Sequence, residues 1–186
     1  IQGFVQGILD GAIHKEDQEA YLNTVLAETK RLNLLISDLL ELSKVESGKF
    51  PLNMRIFDIN ELLRQCLITF EQAIENKKLQ VEADLGENRL YVYADPDRIA
   101  QVVTNLIDNA VKFSFPEGSL TLRVAVREGK AYVSVVDTGE GIPQQDLPYI
   151  FERFYKVDKS RGRKDGTGIG LSIVKKIIDQ HGEKIW

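Results

Sequence analysis

The sequence is poor in several residue types, and each shortage excludes something. It contains one cysteine, one tryptophan, one methionine and only two histidines among 186 residues. A single thiol, Cys66, forms no internal disulfide, which excludes the stapled frameworks of small secreted domains. A reducing compartment follows, with Cys66 as a core residue. No uninterrupted apolar run approaches the roughly 18 residues expected of a membrane span. Basic residues are not in excess either: 24 Lys and Arg face 28 Asp and Glu, for a net charge of -4. Bulk charge therefore gives no reason to expect a nucleic acid or an anionic membrane as partner, and any phosphate site must arise from local placement. Internal repeats, low-complexity segments and a signal-like start are also missing, and the sequence opens without Met and closes on an apolar Lys184-Ile185-Trp186, so both ends read as cut. What is plentiful is apolar residues, at 43%, enough for one globular domain of ordinary size or a smaller one with a helical appendage.

Residues 1 to 13 have helical apolar spacing and end in a polar turn around His14. From about 17 to 46, Leu22, Val25, Thr29, Leu32, Ile36, Leu39 and Ser43 recur at alternating three- and four-residue steps, the seam of a bundle or coiled-coil helix. Leu26, Leu35, Leu40 and Leu42 form a second stripe, so this helix needs partners on more than one side. Ser47, Gly48 and Pro51 end it, dividing a helical hairpin over 1–47 from a second unit over 52–186. The second unit alternates strands and helices: a strand at 53–57, a helix at 59–77 capped by Asp58, strands at 79–85 and 90–93 around Gly86-Glu87-Asn88, and a helix at 96–113 opened by Asp95 and Pro96. Strands at 119–127 and 131–136 follow, turned at Glu128-Gly129, then a short helix after Pro143, a basic loop at 156–167 and a last helix near 170–180. That order predicts an α/β (α+β) sandwich, with helices covering one face of a mixed sheet.

Three stretches carry chemistry. On helix 96–113, Ile99, Val102, Val103, Leu106, Ile107 and Ala110 form the buried stripe, while Asn105, Asn109 and Lys112 share another face. Asparagine is a mediocre helix former, so two stacked in mid-helix call for a reason other than propensity. Amide oxygens ligate the hard cation Mg²⁺ without adding negative charge, and a lysine neutralises phosphate oxygens; a solvated polar face is the plain alternative. At the end of strand 131–136, residues 137 to 143 read DTGEGIP. Asp137 can accept a hydrogen bond from the exocyclic amine of adenine, and Gly139 and Gly141 let backbone approach the ring, although a simple turn has the same look. Residues 166 to 172 read GTGIGLS and run into a helix, a layout that offers backbone N–H groups and a helix N-terminus to an anion. Its spacing fits neither a dinucleotide fingerprint nor a P-loop. Between these stretches, aromatic residues Phe151, Phe154 and Tyr155 flank Lys156, Lys159, Arg161, Arg163 and Lys164, which suits either a lid over phosphates or a solvated loop on a core anchor.

Taken in order, the segments resemble the sensor histidine kinases of two-component systems. NLIDNAVKF (105–113) is similar to the N box, DTGEGIP (137–143) to the G1 box, IFERFY (150–155) to the F box and GTGIGLS (166–172) to the G2 box. The two-helix segment before them resembles the same family's dimerisation and phosphotransfer hairpin, so the resemblance spans nearly the whole chain. It implies a Bergerat-type ATP-binding domain, with Asn105 and Asn109 holding Mg²⁺ and phosphates, Lys112 on phosphate, Phe113 beside the base where tyrosine is frequent, and Asp137 reading the adenine amine. Gly139 and Gly141 would shape the base pocket, and Gly166, Thr167, Gly168, Gly170 and Leu171 the triphosphate side. The implied activity is phosphoryl transfer from ATP to a histidine for relay to a response regulator receiver domain. A homodimer through the hairpin, a cytoplasmic location and a bacterial membrane home for the intact protein are implied as well.

The departures are informative. In that family the acceptor histidine is followed by an acidic residue and soon by Thr-Pro or Asn-Pro, whereas His14 precedes Lys15 and His181 precedes Gly182. Both read as capping or surface residues, so the acceptor is expected upstream of Ile1, and a further hairpin of the domain is expected beyond Trp186. Two other readings stand beside this one: another ATPase of the same fold, of the gyrase or chaperone type, and a degenerate kinase serving only for dimerisation and relay.

Overall fold

A computed structural model describes residues 1–46, 51–86, 88–157 and 166–186. The predicted boundary residues Ser47 and Gly48, Glu87 of the inter-strand turn, and Lys159, Arg161, Arg163 and Lys164 of the basic loop lie outside the described residues.

The chain opens with a helical hairpin. Helix α1 (Gln2–Leu9) turns back through residues 10 to 14 onto α2 (Lys15–Glu46), with the Phe4 and Tyr21 rings 5.2 Å apart. The apolar seam foreseen on α2 stays uncovered by its own chain: Leu22, Leu32, Ile36 and Leu39 are exposed, as is Leu26 of the second stripe. Val25 is half-buried, and Leu35 packs against the second of the two cores below.

The remaining elements are β1 (Arg55–Asp58), α3 (Ile59–Ile68), α4 (Glu71–Lys77), β2 (Gln80–Asp84), β3 (Tyr91–Ala94), α5 (Pro96–Phe113), β4 (Ser119–Arg127), β5 (Lys130–Asp137) and α6 (Gly170–Gln180). Two corrections to the sequence reading emerge. The helix expected over 59–77 is two helices, because the Thr69 hydroxyl donates to the Cys66 carbonyl (2.7 Å) and Phe70 leaves helical geometry to pack into the core. A threonine side chain competing for a helical carbonyl is a known way to end a helix. The expected mixed sheet is also divided: β1 pairs antiparallel with β3, while β2, β4 and β5 form a separate sheet with β2 and β4 parallel. The β4–β5 turn follows the expected chemistry, with positive φ at both Glu128 (51°) and Gly129 (74°), the signature of a hairpin whose twist matches its strands.

Helix α5 is shared by two cores. Val103, Ile107, Ala110 and Val111 pack with Ile59 and Leu63 of α3, Leu79 just before β2, and Leu120 and Leu122 of β4. Val102, helped by Leu106, packs instead with Ile169 at the N-cap of α6 and with Ile173, Val174 and Ile177 within it. Each fully buried aliphatic side chain contributes on the order of 2 kcal/mol, so both interfaces fix where α5 lies.

The start of α5 is tied down by one residue. Asp95 Oδ1 accepts from the N–H groups of Asp97 and Arg98 (both 3.1 Å), its Oδ2 accepts from Asn53 (2.8 Å), and its own N–H donates to His181 Nε2 (3.1 Å). The expected N-cap is thereby also a junction between the approach to β1 and the end of α6. Burial by itself raises the Asp95 carboxyl, but the N–H groups of Asn53, Arg98 and Asp97, with the Arg98 charge, outweigh it and hold the group below its ordinary 3.8. Because the folded value is the lower one, this contribution to stability is present above pH 3.8 and disappears as pH falls through the folded value. Asp95→Ala is expected to cost about 1–2 kcal/mol in urea unfolding at pH 7. The gap between wild type and variant should narrow as the measurement is moved below pH 4.

Candidate nucleotide site

The predicted site residues fall on three segments that meet around α5, and each meeting is made by a glycine. Helix α5 is joined to the loop after β5 at Gly139. A Cβ there would stand 2.4 Å from the Phe113 carbonyl oxygen and 2.6 Å from Asp137 Oδ1, and the Gly139 backbone makes an isolated antiparallel bridge with Ser114. Helix α5 is joined to α6 at Gly170, where a Cβ would lie 2.9 Å from Asn105 Oδ1. The aromatic segment before the basic loop is joined to the glycine segment after it at Gly168, with φ of +74° and a would-be Cβ 2.9 Å from the Phe154 backbone. At Gly139 and Gly168 the neighbour is backbone and cannot give way, so these two approaches require glycine, whereas at Gly170 it is the Asn105 side-chain amide, which can turn aside.

On α5, the Asn105 amide donates to the Gln101 carbonyl (3.0 Å), which leaves its oxygen toward Gly170. Asn109, one turn further on, is half-buried and has no hydrogen-bond partner among the described residues. Lys112 pairs with Asp108 along the helix, which holds its ammonium on the asparagine side. Phe113 is partly exposed at the helix end.

Asp137 is the last residue of β5 and pairs across the sheet with the fully buried Leu120. Cross-strand partners share a face, so its carboxylate is on the side of the sheet that carries the helices. The loop is then locked in place: the Phe115 N–H donates to the Thr138 carbonyl (3.1 Å) and the Ser119 N–H to the Thr138 hydroxyl (2.6 Å). Gly141 takes a φ of +66° with nothing near it, an open left-handed turn.

At the third segment, α6 starts at Gly170 with no side-chain cap on its N-terminus. Only Ile169 N–H is met locally by a side chain, that of Thr167 (3.3 Å), while the Ser172 hydroxyl turns back to the Ile169 carbonyl (2.7 Å). First-turn amides and the positive end of the helix dipole are thus left without a side-chain cap, the arrangement that attracts an anion. Gly166, Thr167 and Leu171 are all half-buried here.

On the other side of the basic loop, Phe154 adopts φ of 61°, rare outside glycine, and its N–H donates to the Gly168 carbonyl (2.8 Å) while its ring is exposed. Tyr155 donates to Asp146 Oδ1 (2.5 Å), and that bond, with burial second, pushes its hydroxyl up to about 12. Both ends of the loop are therefore pinned at one place.

One participant escapes a sequence reading. Asp38 of α2 accepts a hydrogen bond from the Thr167 hydroxyl (2.5 Å), joining the hairpin to the glycine segment. Asp38 also lines a cleft of about 380 Å³ between α2 and α5 with Phe70, Gln101, Thr104, Asn105 and Asp108. The one available signal was its place three residues after Leu35, a polar residue one turn from the apolar contact with α6.

Residues 94–186 match the family model described as histidine kinase-, DNA gyrase B- and HSP90-like ATPase, and residues 1–48 match the His kinase A phospho-acceptor domain. Along its full length the chain is 36% identical to the sensor protein SrrB of Staphylococcus aureus and to the sensor histidine kinase WalK of Bacillus subtilis. It spans about a third of the length of these curated relatives, 32% and 31% respectively. Among solved structures it is similar to the Acinetobacter baumannii histidine kinase AdeS, with a TM-score of 0.75, 33% identity, and coverage of 96% of this chain and 81% of that one. It is also similar to the histidine kinase ThkA in complex with the response regulator protein TrrA, at a TM-score of 0.79 and 30% identity over 100% of this chain and 51% of that one. The chain belongs to the sensor histidine kinases.

The glycine contacts give a paired expectation for stability. Gly139→Ala and Gly168→Ala should each lower unfolding free energy by about 1–3 kcal/mol, through overpacking and, at Gly168, a strained φ. Gly166→Ala, with ordinary φ and nothing within 4 Å of the added carbon, should stay within about 0.5 kcal/mol of wild type in the same denaturant titration.

Proposed function

We propose that the site formed by α5, the loop after β5 and the glycine segment before α6 binds Mg·ATP and that, in the intact protein, the chain directs the γ-phosphoryl to a histidine for onward transfer to an aspartate of a response regulator. The observation that supports this best is the convergence of the asparagine helix, the Asp137 loop and the glycine segment through close approaches at Gly139 and Gly170. The unit over 52–186 carries the nucleotide, and the hairpin over 1–47 is the part of the dimerisation and phosphotransfer hairpin that lacks the acceptor histidine.

Each role follows from position. Asp137 selects adenine by accepting from its exocyclic amine, with Gly139 and Gly141 giving the ring a flat approach. Lys112 and the first-turn amides of α6, reached through Gly166, Thr167, Gly168, Gly170 and Leu171, hold the phosphates. The donor set fits Mg²⁺: the Asn105 oxygen and the unpartnered Asn109 amide are neutral, hard ligands on one helix face. When bound, the ion supplies charge neutralisation between phosphate oxygens. The protein's own contribution is orientation and electrostatic complementarity, with no covalent step on the ATP-binding unit.

Neither histidine suits the acceptor role. His14 lies in the turn before α2, and both ring nitrogens of His181 are engaged, Nε2 by the Asp95 N–H and Nδ1 with the Ile177 carbonyl (2.8 Å). The exposed seam of α2 supports a homodimer through the hairpin, since a continuous apolar stripe on a 32-residue helix needs a covering surface. The ThkA structure, solved with its response regulator, supports a receiver domain as the second partner. No helix among the described residues is long and apolar enough to cross a membrane, and any membrane attachment of the intact protein belongs to other parts of it.

Calorimetry with Mg·ADP tests the site. Wild type should bind, and Asp137→Ala should lose at least tenfold in affinity, about 1.4 kcal/mol or more; equal binding by both would remove Asp137 from base recognition. Incubation of the chain with labelled ATP should leave no acid-labile, base-stable label on it, and a phosphohistidine at either His14 or His181 would refute the assignment of the acceptor elsewhere.

A further inference from the structure

We infer that Lys77, the last residue of α4, is a positioning residue for the base side of the cleft, an inference that rests on reading that cleft as a nucleotide site. Its ammonium donates to three main-chain carbonyls at the end of α5, those of Val111 (2.7 Å), Lys112 (2.8 Å) and Ser114 (3.1 Å). An ammonium has three N–H donors, and all three are used. The acceptors belong to the end of α5, where a helix leaves carbonyls without intrahelical partners and where a positive charge is favoured by the dipole.

The segment held in this way is the floor of the base pocket. Ser114 bridges Gly139, the Phe115 N–H donates to the Thr138 carbonyl, and the Phe113 carbonyl lies directly beneath Gly139. Asp137 leaves its strand from the same loop. Lys77 is itself fixed on its far side, since its own carbonyl accepts from the Glu117 N–H (2.9 Å). One residue therefore clamps both ends of the connection from α5 to β4, and the loop that carries Asp137 leans on that connection. Loss of the three donors leaves partly buried carbonyls unpaired and frees the Phe113 to Phe115 backbone to move away from Gly139. The neighbouring Lys78 provides a control, because its ammonium makes only an exposed ion pair with Glu117 (3.5 Å).

The test compares two ligands that share a base and differ in phosphates. Mg·ADP binding is followed by calorimetry and adenosine binding by NMR titration, with folding of each variant checked by circular dichroism. Lys77→Met is expected to weaken both ligands by the same factor, tenfold or more, while Lys78→Met stays within twofold of wild type. A loss confined to Mg·ADP would assign Lys77 to long-range attraction of phosphate and overturn the proposal, as would unchanged affinity for both ligands. Should Lys77→Met fail to fold, Lys77→Gln, which retains two donors, is expected to lose threefold or more for both ligands, and unchanged affinity in it overturns the proposal. A wild-type chain that binds neither ligand overturns the nucleotide reading and this inference with it. Wild-type binding with an unaltered Lys77→Met overturns this inference alone.

Discussion

The contact between the Phe113 carbonyl and Gly139, where an added methyl group would stand 2.4 Å from the oxygen, sets how closely α5 approaches the loop after β5. The other two contacts of this type, Gly170 against Asn105 and Gly168 against Phe154, set the remaining dimensions of the cleft. At Gly139 and Gly168 the approach is rigid for a simple reason: backbone touching backbone has no side-chain rotamers with which to yield. Helix α5 supplies a surface to two of the three contacts, and it can do so because separate cores seat it on both sides. Its beginning is fixed by Asp95 and its end by Lys77, so it is held at every level at which a ligand would press on it.

Local rules made much of this readable from sequence. Asp95-Pro96 announces a helix start through capping and a preset φ, and Asp58 does the same for α3. Asn105, Asn109 and Lys112 sit on one face because helical periodicity requires it, and residues 166 to 172 run into α6 as their glycines suggested. What escaped was decided at long range. The parallel pairing of β2 with β4 joins strands separated by β3 and α5, and nothing within either strand names its partner. The break at Thr69 and Phe70 depends on Phe70 finding the core, which outweighs the helical propensity of the residues around it. The roles of Asp38 and Lys77 depend on partners far along the chain and were likewise invisible to a local reading.

The link between Asp38 and Thr167 gives the two halves of the chain a shared polar contact, next to the apolar one made by Leu35. Thr167 uses its hydroxyl twice, donating to Asp38 and accepting from the Ile169 N–H at the start of α6. The position of α2 and the geometry of the glycine segment are consequently connected through the Thr167 side chain. This contact lies on the half of α2 that faces α5 and α6, leaving the exposed leucines free for a partner of their own.

His181 has a consequence of a different kind. Because the Asp95 N–H donates to its Nε2, the ring proton of the neutral side chain resides on Nδ1, directed at the Ile177 carbonyl. An imidazole in an unfolded chain samples both tautomers, whereas the folded molecule accommodates one of them. The ring's nitrogen resonances therefore carry a magnetic signature of whether the end of α6 is seated on the beginning of α5. The only other histidine, His14, lies in the turn before α2 and carries no record of that docking.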